Sequence, residues 1–243
     1  MGKDHPDWGG VYNDTQFYPL FDMAELAARL GSPITYDRRG ALIWCYDFSH
    51  GIGHVTLNTT LGATYALDAT YWERPPFSLK LITGANALSQ VYVARRLSTP
   101  QPDLVGAQVS ILFGDNVDGC YLYLDHYTGA LRRYAQVQVD LPNRDFKVYD
   151  KDTGSVTLNT DIPDLASAAY FARLKVVADL NTHKYVRALL DDNEYDVSAY
   201  EMGSQADTTA PRVELMVLLT NNGATEAVIY VDSLILTAAE PPN

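Results

Sequence analysis

Two long apolar-rich runs in the last third of the chain, residues 169–190 and 212–237, constrain the fold more than any other feature. Each is broken only by residues that reverse a chain. Asp179-Leu180-Asn181-Thr182-His183-Lys184 and Thr220-Asn221-Asn222-Gly223-Ala224 supply Asp, Asn and Gly, and the flanks are rich in Val, Ile, Leu and Tyr. Asn, Asp and Gly tolerate left-handed backbone or hydrogen-bond their own main chain, while β-branched and aromatic residues suit a pleated surface, so both runs predict antiparallel strand pairs. In the first, Leu174, Val176, Ala178 and Leu180 alternate with Arg173, Lys175 and Asp179, the pattern of a strand with one wet face. In the second, Val213, Leu215, Val217 and Leu219 alternate with Glu214, Met216 and Leu218, and residues 228–236 are apolar on nearly both faces. A two-layer sandwich buries only inner faces. The double-sided strands therefore require a covering segment or a second subunit.

The same texture continues upstream. Strands are expected over residues 42–48, 54–59, 63–71, 77–82, 89–97, 107–113, 119–125, 131–139, 170–180, 185–190, 212–220 and 227–237, with turn signals at 116–119, 125–129 and 150–154. Such a series fits two stacked sheets. Residues 1–20 show no regular period but carry Trp8, Tyr12, Phe17 and Tyr18, the pattern of an extended arm with aromatic anchors. Asp22 then precedes Met23, Leu26, Ala27 and Leu30 at helical spacing, with Glu25 placed for a capping box and Gly31 as a stop, so one short helix is expected. The 243-residue chain thus divides into an arm and helix, residues 1–40, and a β-sandwich, residues 41–243.

Acidic residues outnumber basic ones by 30 to 18, for a net charge of −12, which repels nucleic-acid backbones and anionic membranes. No apolar window reaches the roughly 18 residues that a membrane helix needs. The first residues lack the apolar core of a signal peptide, so synthesis in the cytoplasm is expected. Cys45 and Cys120 both fall inside strand-like runs, where buried free thiols are the usual outcome.

The run Ala172-Arg173-Leu174-Lys175-Val176-Val177-Ala178-Asp179-Leu180, with Lys184-Tyr185-Val186-Arg187 and Asp191-Asp192-Asn193-Glu194-Tyr195-Asp196 after it, resembles part of the concanavalin-A-like jelly-roll domains. Tyr230-Val231-Asp232-Ser233-Leu234-Ile235-Leu236 is similar to their closing strand, and Phe77-Ser78-Leu79-Lys80-Leu81 adds to the likeness, which spans residues 41–238. The resemblance implies an all-β, two-sheet antiparallel jelly-roll sandwich. It leaves function open, since the family includes lectins, sugar-binding modules, glycoside hydrolases and virion surface proteins.

The residues themselves point to no catalytic centre, metal site or cofactor. A retaining glycoside hydrolase needs two carboxylates about 5 Å apart. Glu194-Tyr195-Asp196 begins the strand motif that the family uses for this, but Ser198 and Ala199 stand where its second glutamate belongs, so a charged turn is expected. His50 and His54 flank Gly51 and Gly53, which favours a turn over a helical zinc pair, and Asp115-Asn116-Val117-Asp118-Gly119 reads as an Asx-type turn, not a calcium loop. Tyrosine is the remaining unusual feature, with 17 against 7 phenylalanines. Tyr121 and Tyr123 project from one face of a strand whose hairpin partner carries Tyr134. These rings can serve sheet packing, a protein interface or a sugar platform.

The reading that asks least of the sequence is a non-catalytic structural subunit of a larger assembly, such as a capsid decoration or tail protein of a virion. Its partners would be further copies of the chain and a capsid or tail protein, gripped through Trp8, Tyr12, Phe17 and Tyr18. A lectin-like protein binding a glycan through Tyr121, Tyr123 and Tyr134 is the alternative, and a glycoside hydrolase the third.

Overall fold

A computed structural model describes residues 37, 39–98, 104–166, 170–221, 223 and 225–242. Its strands are β1 (Ala41–Tyr46), β2 (Thr56–Thr59), β3 (Thr64–Asp68), β4 (Ser78–Ile82), β5 (Gln90–Leu97), β6 (Leu104–Phe113), β7 (Gly119–Tyr127) and β8 (Leu131–Asp140). They continue as β9 (Asp145–Asp150), β10 (Gly154–Asn159), β11 (Ala172–Asp179), β12 (Lys184–Leu190), β13 (Asn193–Asp196), β14 (Gly203–Ala206), β15 (Arg212–Thr220) and β16 (Val228–Ala238). No helix occurs among the described residues. The expected arm and helix, with Trp8, Tyr12, Phe17 and Tyr18, lie outside them.

The strands form two eight-stranded antiparallel sheets. The A sheet runs β13-β12-β11-β6-β16-β4-β3, with β1 also on β16; the B sheet runs β10-β9-β8-β7-β15-β5-β2, with β14 on β8. This is the antiparallel sandwich that the alternating runs imply, arranged as the jelly roll that the resemblance implies. Period-2 patterning explains the layers: Val109, Ile111, Leu174, Val176, Leu234 and Leu236 of the A sheet face Leu122, Leu124, Val137, Leu215 and Val217 of the B sheet, all of them fully buried. Tyr185 links the layers, donating from its hydroxyl to the Tyr149 carbonyl at 2.6 Å and accepting from the Gln136 N–H at 2.8 Å.

β16 serves two partners on one side, β4 along Val228–Val231 and then β1 from Leu234 to Ala238. Its ladder with β6 slips between Val231 and Leu234. The Asp232 carboxylate in that bulge is buried and accepts the Glu73 and Arg74 N–H groups at 2.6 and 2.9 Å. Burial outweighs these bonds and pushes its carboxyl up to about 6.

Three expectations need correction. The wet face assigned to β11 is not wet: Lys175 is 2 % exposed and Val177 fully buried. Asp37, Arg39, Glu240 and Pro241 lie over that face and hold its buried cations; the arm and helix expected to cover the double-sided strands lie outside the described residues. Lys175 Nζ bonds Asp37 Oδ2 at 2.8 Å and Glu240 Oε1 at 2.6 Å, and Arg187 bonds Glu240 and, at 2.7 Å, the Pro241 carbonyl. Residues 193–196 form the edge strand β13 instead of a turn, because Tyr195 turns inward against Phe146 and anchors the segment to the core. Finally, of the two free cysteines only Cys120 is buried; Cys45 is exposed on β1.

Candidate functional site

The outward residues of the B sheet form cross-strand rows that the registers define. One row carries Leu218, Tyr121, Gln138 and Lys147; the next Met216, Tyr123 and Gln136; the next Arg96, Glu214, Asp125, Tyr134 and Gly203; the last Arg212, Tyr127, Arg132 and Gln205. Because successive side chains alternate between faces, the odd-numbered tyrosines of β7 all emerge on this side.

The rings of Tyr121 and Tyr123 lie 6.2 Å apart, those of Tyr123 and Tyr134 6.4 Å, and those of Tyr134 and Tyr149 5.3 Å. The three tyrosines singled out from sequence are therefore brought together, each half-buried, and the row gains a fourth member. Tyr149 escaped the sequence reading because the polar β9 was not recognised as a strand. The alternation of Asp145, Lys147 and Tyr149 with Phe146 and Val148 is the signal that could have found it.

Gly203 makes room for this row. A Cβ there would meet the Tyr134 ring at 2.2 Å, so only glycine lets the ring lie across β14. The Arg132 guanidinium stacks over both Tyr123 and Tyr134, at 5.7 and 5.3 Å from the ring centres, and bonds the Asp125 carboxylate at 2.8 Å. Glu214, opposite Asp125, is held by Arg96 at 3.0 Å and Arg212 at 2.9 Å. Arg212 in turn stacks on Tyr127 at 4.4 Å.

Electrostatics on this face follow from its partial burial. Asp125 is 1 % exposed, and burial pushes its carboxyl up to about 7 although Arg132 opposes the shift. Burial also raises the hydroxyls of Tyr121 and Tyr123, and raises Tyr134 to about 12, with help from a hydrogen bond with Tyr149. The face thus offers apolar rings, neutral hydroxyls, three glutamine amides and two stacked arginines.

No protein-family model and no curated protein matches the sequence. Solved structures do match in three dimensions. An endo-beta-1,4-glucuronan lyase from the fungus Trichoderma reesei aligns with a TM-score of 0.53 at 10% identity, covering 82% of this chain and 96% of its own. The alginate lyase vAL-1 from a Chlorella virus gives 0.53 at 7% identity over 81% of this chain and 99% of its own. The cellulose induced protein Cip1 gives 0.50 at 11% identity over 82% and 99%. The fold is the concanavalin-A-like jelly roll. None of these three names is that of a virion structural component, so the expected virion role draws no support from them.

The other residues considered from sequence stay apart from the tyrosine row. Glu194 belongs to the A sheet, where Arg39 holds it at 2.7 Å. His50 bonds Ser49 and His54 packs its ring on Tyr46. Among the described residues no three His, Cys, Asp or Glu side chains converge on a common metal position.

Proposed function

We propose that this chain is a carbohydrate-binding protein that lays a sugar chain along the outer face of the B sheet. The observation that carries the reading is the continuous row Tyr121, Tyr123, Tyr134 and Tyr149, flanked by Gln136, Gln138 and Arg132. A pyranose presents apolar C–H faces to aromatic rings and hydroxyls to amides and phenols, so such a row meets both demands along several sugar units. Two structural neighbours are named as lyases of glucuronan and alginate, which agrees with a sugar-facing sheet in this fold.

The test is a glycan array followed by titration of the best oligosaccharide. Tyr123→Ala and Tyr134→Ala are each expected to weaken binding about tenfold, the effect of losing one stacking contact of about 1.4 kcal/mol. Unchanged affinity in both variants, or no bound glycan at all, would defeat the proposal.

A further inference from the structure

The opposite side of the sandwich holds a cavity of about 230 Å³ on the outer face of the A sheet. It is bounded by β6, β11, β12, the β12–β13 turn, β13 and the segment before β1. Its floor is rigid, because Lys175, Gln108 and Leu189 are each buried.

The charges that line it separate into two groups. Asp37, Arg39, Lys175 and Glu194 are committed to one another: Arg39 bonds Asp37 at 3.0 Å and Glu194 at 2.7 Å, and Lys175 bonds Asp37 at 2.8 Å. Arg173, Asp191 and Asp192 are left. Among the described residues Arg173 forms no ion pair, and its Nε is shut away from solvent without a hydrogen-bond partner. Glu73 is close enough to feel the Arg173 charge but pairs with it no more closely than 4.0 Å, and burial pushes the Glu73 carboxyl up. The Asp191 carboxylate accepts the Arg173 N–H at 2.8 Å and the Tyr170 hydroxyl at 3.2 Å, and has no cationic partner among the described residues.

The half-buried Arg173 guanidinium and Asp191 carboxylate, which form no ion pair with each other, carry a desolvation cost that the free protein does not recover. A ligand bearing both charges would recover it. We propose that this cavity binds a small zwitterion of the α-amino-acid class, its carboxylate on the Arg173 guanidinium and its ammonium on Asp191 and Asp192. The planar guanidinium suits a carboxylate, and Leu189 offers an apolar contact for a side-chain stem. One water needs only about 10–15 Å³ of such space, so the volume admits a molecule of several heavy atoms. No aromatic residue among the described ones lines the cavity, which separates it in kind from the tyrosine row. A metal is disfavoured because Asp37 and Glu194 are already bound to cations.

The experiment titrates the full chain with alanine, glutamate and lysine as free amino acids, and with acetate and ethylamine as half-ligands, following amide chemical shifts. Saturable binding of an amino acid, at least about tenfold tighter than either half-ligand, is expected. Arg173→Gln should weaken it by a similar factor, as should Asp192→Asn, an exposed change that spares the turn, while Tyr123→Ala leaves it unchanged. Acetate binding as tightly as alanine would reduce the site to a plain anion site and overturn the proposal. So would the absence of any saturable shift, or full binding by Arg173→Gln with its fold verified by circular dichroism. Loss of glycan binding by Tyr123→Ala reports on the other face alone, so the two readings fail separately.

Discussion

The two outer faces of this sandwich handle polar residues in opposite ways. On the A sheet, charges are buried beneath neighbouring segments: Lys175, Arg187 and Glu240 are at most 2 % exposed and neutralise one another. On the B sheet, arginines lie half-exposed across tyrosine rings, and no segment among the described residues covers the Tyr121 to Tyr134 row. One fold therefore supports a closed face, whose charges hold covering segments down, and an open face, whose rings remain available. The difference lies in what crosses each sheet, since both inner faces obey the same apolar alternation.

The sharpest way to break the comparison is Glu240→Gln. Among the described residues it leaves Lys175 with Asp37 as its one carboxylate and strips Arg187 of its own, so a loss of about 3–5 kcal/mol is expected in chemical denaturation. Retention of full stability would show that burial of these charges is incidental. A smaller but diagnostic effect is expected for Gly203→Ala on the open face. Its methyl group meets the Tyr134 ring, costing about 1–3 kcal/mol of strain and shifting the ring, so glycan affinity should fall together with the thermal midpoint.

Acid titration sharpens the contrast further. At Asp37 burial raises the carboxyl, but the bonds from Arg39 and Lys175 outweigh it and bring it down to about 2. This stability is present above the unfolded value near 3.8 and lost as pH falls towards 2, so Asp37→Asn should flatten the acid limb of the curve. The expected size is about 1 kcal/mol once solvent screening is allowed for. On the open face the sign reverses. Burial raises Asp125 to about 7, so its ionisation costs stability progressively as pH rises from about 4 to 7. Asp125→Asn should remove that slope between about pH 4 and pH 7. An unchanged slope would show that Arg132 compensates the carboxylate fully.

Legibility in the sequence followed the same division. Leu174, Val176, Val213 and Leu215 announced their inward direction through period 2, and Tyr121, Tyr123 and Tyr134 could be placed on one face from parity and a hairpin alone. Tyr149 could not, since DFKVYD carries too few apolar residues to stand out as a strand beside a turn-like 150–154. The short polar strands β13 and β14 were equally silent, their pairing being supplied by β12 and β8. Lys175 looked solvated because nothing near it in sequence indicates a carboxylate overhead; Glu240 and Asp37 arrive from distant parts of the chain.

What the sequence determined by itself was the period, the turns and hence two stacked antiparallel sheets, because these depend on residues adjacent along the chain. Tertiary structure alone decided which outer face is covered and which charges go unpaired. It also decided that Tyr134 meets Tyr149 and that Arg173 forms no ion pair among the described residues. Those outcomes depend on which strands become neighbours and where the flanking segments cross, and side-chain periodicity carries no record of either.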